Sequence, residues 1–146
     1  MLIARAYAAA GDDDKVWRVL RWLNDIHGGN AGAWFERYGQ SITPPMPPVN
    51  IIPWVWYEIV ALCIHHIAGF RPGLDRIIIK PHLLKELDEL HTTQTVRGLK
   101  VDLTVRRSLG RTAATVNGQE VALQDGILSI PYPSKGTIKV DFSVAG

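Results

Sequence analysis

Hydrophobic positions recur along this chain with two different periods, and the change falls near residue 74. In the opening segment Leu2, Ile3, Ala6, Tyr7 and Ala10 fall on one helical stripe, the spacing of an amphipathic helix. Gly11 interrupts it, and Asp12-Asp13-Asp14 follow as an N-cap and first-turn acids, favoured at the positive end of a helix. A second helix is predicted over Asp13–Asp25, with Val16, Leu20 and Leu23 on one face and His27-Gly28-Gly29 at its end. Residues 1–27 thus read as an α-hairpin with a very short turn. Pro53 suits the first turn of a third helix, predicted to run to Ala68. Trp54, Val55, Trp56, Ile59, Val60, Leu62, Cys63, Ile64 and Ile67 surround that helix almost completely, and a helix apolar all round is expected to be buried on all sides. Two neighbouring helices are too few for that. Together with an opening helix that has no cap and no charge at its start, the pattern predicts the tail of something longer, with further helices supplied by a parent chain or by another subunit.

From residue 74 the period becomes two. Arg76-Ile77-Ile78-Ile79-Lys80 reads as a strand bounded by Pro81, and Leu99, Val101, Leu103 and Val105 alternate with Lys100, Asp102 and Thr104. Thr112 to Val116 leads into Asn117-Gly118, a strong hairpin signal; Val121 to Leu123, the turn Asp125-Gly126, Ile127 to Ile130 and the alternating Ile138, Val140 and Phe142 follow. With a strand near Leu90–Val96, about seven short strands separated by turns predict an antiparallel β-sandwich. The fold class is therefore α+β: a helical segment over 1–70, then a sandwich over 71–146.

Between the α-hairpin and the third helix lies residues 32–58, longer and more aromatic than an ordinary connection. It carries Trp34, Phe35, Tyr38, Trp54, Trp56 and Tyr57 around two carboxylates, Glu36 and Glu58, with a stiff Pro44-Pro45-Met46-Pro47-Pro48 strap. Aromatic content argues against disorder and for a rigid aromatic-lined site with an acid or base. All five tryptophans, and nine of the twelve aromatic residues, fall within residues 1–57, so the composition divides the chain where the period does.

Charge narrows the function classes. The net charge is +2, and each third of the chain holds nearly equal numbers of basic and acidic residues; no segment has the basic footprint of a nucleic-acid binder. The run Ile51 to Phe70 is about long enough to span a bilayer, yet it holds Pro53, Glu58, His65 and His66, so it reads as a helix buried in protein, with no membrane contact. Cys63 is the single cysteine, which rules out an intrachain disulfide and fits a reducing, cytoplasmic setting. His65 and His66 are adjacent and point about 100° apart on a helix, so they do not chelate one metal. No phosphate loop and no nucleophilic triad has local support, and neither a metal nor a cofactor is expected.

Taken in order, an α-hairpin, Gly-x-Trp-x-Glu-x-Tyr-Gly over Gly32–Gly39, Pro-Trp-x-Trp-x-Glu over Pro53–Glu58, Gly-x-Arg-Pro over Gly69–Pro72 and a strand ending in Lys80-Pro81 resemble the C-terminal end of six-hairpin, (α/α)6-toroid glycosidases. Similar tails occur among glucosidases related to glycoside hydrolase family 63 and among α-L-rhamnosidase-like proteins, where the last hairpins of the toroid run into a small β-sandwich. The resemblance implies that Glu36 is the general base of an inverting hydrolysis, with Trp34, Tyr38, Trp54 and Trp56 as the wall that contacts the sugar. Such chemistry needs a second carboxylic acid roughly 6.5–9.5 Å away. In the resembling enzymes that acid comes from an earlier segment, which no part of this sequence matches. Glu58, one turn into its helix, has three roles open to it: to stabilise the helix start, to pair with Arg37 or Arg71, or to line the site; structural ion pairing is favoured over catalysis. The expected partner is therefore a carbohydrate, handled by a glycosidase-like chain that is not a complete catalyst alone. Two other readings stand beside it: a carbohydrate-binding or accessory module, and a structural domain whose exposed apolar faces are covered by self-association into a homo-oligomer.

Overall fold

The computed structural model describes residues 1–37, 49–132 and 136–146, with the backbone alone over 35–37 and 49–51. The chain is α+β and divides into two compact units, Met1–Leu62 and Cys63–Gly146.

The first unit opens on helices α1 (Leu2–Ala9) and α2 (Asp13–Asp25). Asp12 caps α2, its Oδ1 accepting from the Lys15 backbone N–H at 3.2 Å, and Asp13 and Asp14 occupy the first turn, where their charge complements the helix dipole. A 3-10 turn at Gly29–Ala31 follows. Strands β1 (Phe35–Arg37) and β2 (Val49–Ile51) pair antiparallel, Phe35 opposite Ile51 and Arg37 opposite Val49. Helix α3 (Trp54–Ala61) then runs into a π-helical turn at Leu62–Ile67. Leu23, Trp34 and Ile52 form the buried centre, with Met1, Val19, Ile26, Val55 and Ile59 packed around it.

Helix α3 is not buried on all sides, as its sequence predicts. Trp54, Trp56, Tyr57 and Val60 are 56, 51, 63 and 57% exposed. Apolar periodicity records which positions avoid charge, whereas coverage depends on how many elements surround the helix, and among the described residues this unit has only two other helices of any length.

The second unit is built from two sheets around one core. Strands β3 (Phe70–Pro72), β4 (Arg76–Ile79) and β9 (Leu128–Pro131) form the smaller, in the order β3-β4-β9. Strands β5 (Glu89–Val96), β6 (Leu99–Ser108), β7 (Ala113–Val116), β8 (Gln119–Val121) and β10 (Gly136–Ala145) form the larger, in the order β5-β6-β10-β7-β8. Phe70, Ile77, Ile79 and Leu128 from the first sheet share one buried cluster with Leu99, Val101, Leu103, Val105, Ala114, Val140 and Phe142 from the second.

The larger sheet departs from the antiparallel prediction. β10 lies parallel to β6 over its whole length, from Gly136 opposite Leu99 to Ala145 opposite Ser108, while its other neighbour β7 is antiparallel. The sheet is mixed. Alternation of apolar and polar residues assigns a face to each strand but says nothing about the direction of its neighbour. Strand β8 ends at Val121, so Leu123 lies beyond the ladder. Asn117 (φ 52°) and Asp125 (φ 52°) take the left-handed conformation expected of their hairpin dipeptides. Arg97 (φ 51°) makes a third such turn between β5 and β6, where the residue type gives no cue.

The outer face of the larger sheet is polar, with charged residues set among threonine and serine. Arg106 pairs with Glu89 at 3.1 Å and reaches Asp141 at 3.6 Å, and Lys139 approaches Asp141 at 3.4 Å. Beside them His91 Nε2 lies 2.5 Å from Asp102 Oδ1, which also accepts from the Thr93 hydroxyl. The hydrogen bond with His91 holds the Asp102 carboxyl below the usual carboxylate range, partly offset by burial. A carboxyl whose pKa is depressed by folding contributes stability that is present above its unfolded value of about 3.9 and is lost as the pH falls through the lower, folded value. Asp102→Asn is therefore expected to flatten the acid limb of stability: urea midpoints at pH 5 and pH 3 should differ less in the variant than in the wild type. Equal acid slopes would show that the pair contributes nothing.

Candidate functional site

Helices α1, α2 and α3 and the root of the β1–β2 pair line a half-open cavity of about 500 Å3 within the first unit. Its walls are apolar, with Leu2 and Ile3 from α1, Trp22 from α2 and Trp54 and Val55 from α3 among them. Trp34 and Ile52 close the end next to the strands, tied by the Ile52 N–H donating to the Trp34 carbonyl at 2.9 Å. Among the described residues, Glu58 is the one with a charged side chain in the wall. An apolar pocket with one or a few convergent polar groups is the usual form of a small-ligand site.

The three indoles in the wall differ in what they offer. Trp34 is 7% exposed, and its Nε1–H donates to the Leu23 carbonyl at 3.0 Å. Its ring meets Trp56 edge to face, with centroids 4.9 Å apart and planes at 67°, a favourable aromatic geometry. Trp34 is therefore a wall that also belongs to the core. Trp22 and Trp54 are each 56% exposed, so these two present accessible indole surface to a ligand.

The carboxylate of Glu58 is held by Arg5. The guanidinium Nη1 of Arg5 donates to Oε1 at 3.2 Å and to Oε2 at 3.0 Å, and the Glu58 side chain is only 14% exposed. The sequence offers Arg37 or Arg71 as partner; the structure has Arg5, and Arg71 Nε instead donates to the His65 carbonyl at 3.1 Å. The signal is visible in hindsight, because Arg5 is the sole charged residue of α1 and Glu58 the sole charged residue of α3. Trp22 is the other omission. Its helix looks like an ordinary amphipathic one, and only the packing of three helices shows that position 22 faces a hollow.

Of the residues singled out by the motifs, Trp34 and Trp54 line the cavity. Trp56 stacks on Trp34 and is 51% exposed, outside the cavity lining. Glu36 lies at the centre of β1, two residues beyond Trp34; its side chain is outside the described residues, and so is the whole of Tyr38. Among the described residues no cluster of His, Cys, Asp or Glu has the geometry to hold a metal ion. No described helix is long and apolar enough to cross a membrane. His65 Nδ1 lies 2.9 Å from the Phe70 carbonyl, a structural contact within the second unit.

No family model matches the chain, and no curated protein matches it.

Proposed function

We propose that the first unit forms one wall of a carbohydrate site of the kind found at the end of six-hairpin toroid glycosidases. Glu36 is the general base in this reading, Trp54 and Trp22 are the platforms for the sugar's apolar face, and Trp34 and Trp56 back them. One observation carries the proposal: a 500 Å3 hollow with three tryptophans in its wall, bordered by the two residues from which the Glu36-bearing strand pair springs. Pyranose rings offer a C–H face that stacks on indole while their hydroxyls seek hydrogen bonds. Inverting hydrolysis needs a second carboxylic acid across the scissile bond, and among the described residues the one carboxylate in the wall, Glu58, is engaged by Arg5. The chain alone is therefore expected to bind sugar with little or no turnover. That feature also favours the second reading, a binding or accessory module in which no chemistry follows.

The test combines binding with turnover. Titration with methyl α-D-glucopyranoside and methyl α-L-rhamnopyranoside, followed by tryptophan fluorescence, is expected to saturate at millimolar concentration, and Trp54→Ala should weaken it about tenfold or more, the scale of removing an aromatic contact worth 1–2 kcal/mol. Absence of saturation would overturn the sugar-site reading. Hydrolysis of aryl glycosides by this chain at a rate unchanged by Glu36→Gln would overturn the assignment of the base.

A further inference from the structure

Glu58 occupies a position that simple ion pairing does not explain. A surface ion pair contributes little to stability, and a carboxylate brought against an apolar wall loses hydration. Yet Glu58 stands in the wall of a hollow whose other described lining residues are Met1, leucine, isoleucine, valine and tryptophan. Arg5 meets it from behind: Arg5 is not part of the lining, and it donates to both carboxylate oxygens from one nitrogen. Each oxygen of a carboxylate has two lone pairs, so the contact with Arg5 leaves acceptor capacity directed elsewhere. The guanidinium fixes the rotamer and offsets the charge, and the hollow receives an oriented hydrogen-bond acceptor with little net charge.

We propose that Glu58, held by Arg5, is the specificity anchor of the cavity: it accepts a hydrogen bond from one hydroxyl of a neutral sugar whose ring lies against Trp22 and Trp54. The proposal rests on the sugar-site reading and adds to it the residue that orients the ligand. Stacking on indole is tolerant of which sugar is present, whereas a site built to accept from a hydroxyl rejects an analogue lacking it. The two indoles thus supply affinity and Glu58 supplies selection. A sugar acid is disfavoured, since an ionised carboxylate has no proton to donate to Glu58 and meets a like charge there.

The experiment is a thermodynamic cycle on the intact chain. Methyl α-D-glucopyranoside and methyl α-L-rhamnopyranoside, and the monodeoxy derivatives of each, are titrated against wild type, Glu58→Gln and Trp54→Ala by calorimetry. One deoxy position is expected to weaken wild-type binding by at least tenfold, the loss typical of a hydrogen bond to a charged group. Glu58→Gln should weaken binding of the parent sugar by a similar factor and show no further loss with that same deoxy sugar. Arg5→Lys keeps the charge on a more flexible, more strongly hydrated ammonium that holds the carboxylate less rigidly, and should give an intermediate affinity. A purely structural Glu58 would lower the melting temperature and leave the deoxy series parallel in wild type and variant, which overturns the anchor while the wall survives through Trp54→Ala. If wild type binds none of these sugars, the anchor and the sugar-site reading fall together.

Discussion

Gly69→Ala is expected to destabilise the second unit by about 4 kcal/mol or more, the range reserved for backbone conflicts and other severe lesions. Gly69 holds φ at +66°, and a Cβ built there would lie 1.9 Å from the Lys80 carbonyl oxygen, 2.1 Å from its carbon and 2.6 Å from Pro81 N. All three are backbone atoms. They cannot swing aside as the end of a flexible side chain would, and Lys80 N–H donates to the Gly69 carbonyl at 3.1 Å, so separating the two segments breaks the start of the β3–β4 ladder. The matched control is Gly118→Ala. Its φ is +81° and nothing lies within 4 Å of the added carbon, so only the conformational penalty of about 1 kcal/mol applies. Urea unfolding of both variants separates the two costs. A loss below about 1 kcal/mol at Gly69, no larger than the conformational penalty alone, would mean that the close backbone approach does not exist.

The second large effect is expected at Arg107. This residue occupies an inward register position at the end of β6, where hydrophobic residues precede it at every second place. Its Nη2 donates to the carbonyls of Leu83 at 3.4 Å, Leu84 at 2.9 Å and Leu87 at 3.0 Å, closing the irregular segment between β4 and β5 whose Leu83 and Leu84 are buried. Arg107→Met keeps the aliphatic stem and removes the guanidinium donor from all three carbonyls, while the Leu84 carbonyl still accepts from the Leu87 N–H at 2.8 Å. Against that loss stands the Arg107 Nε, buried without a partner, whose removal relieves a desolvation cost. The net expectation is about 2–3 kcal/mol of destabilisation, with hydrogen-exchange protection lost first over residues 83–88. Arg107→Lys should recover part of it, because one ammonium can serve a single carbonyl well but not three. Wild-type stability in Arg107→Met would show that the segment is held by its leucines alone.

These two sites also mark what could and could not be read from the sequence. Local chemistry was legible. Asp12 as the α2 cap, the hairpin at Asn117-Gly118 and the inward series Leu99, Val101, Leu103 and Val105 all stand as their patterns predict. Non-local pairing was not. The parallel alignment of β6 and β10 joins segments separated by three other strands, and nothing in either segment specifies its neighbour's direction. The role of Arg107 depends on a loop 20 or more residues earlier, which no local pattern encodes. In the site, two residues of the aromatic motif, Trp34 and Trp54, lie in one cavity wall. Arg5 and Trp22 escaped notice because each sits on a helix whose own periodicity is fully explained without a ligand. The exposure of Trp54, Trp56, Tyr57 and Val60 was hidden for the opposite reason: the residue types argued for burial, while the number of neighbouring elements decided against it.

The central claim is that the hollow between the three helices receives a sugar on Trp22 and Trp54. The most direct measurement is a nitrogen–proton correlation spectrum of the five indole N–H groups during titration with methyl α-D-glucopyranoside and methyl α-L-rhamnopyranoside. The account predicts that the Trp22 and Trp54 signals move together and saturate with one of these sugars, while Trp17, which is not part of the cavity wall, stays in place. Signals that remain fixed for both residues up to high millimolar sugar, or that move first at Trp17, would contradict it.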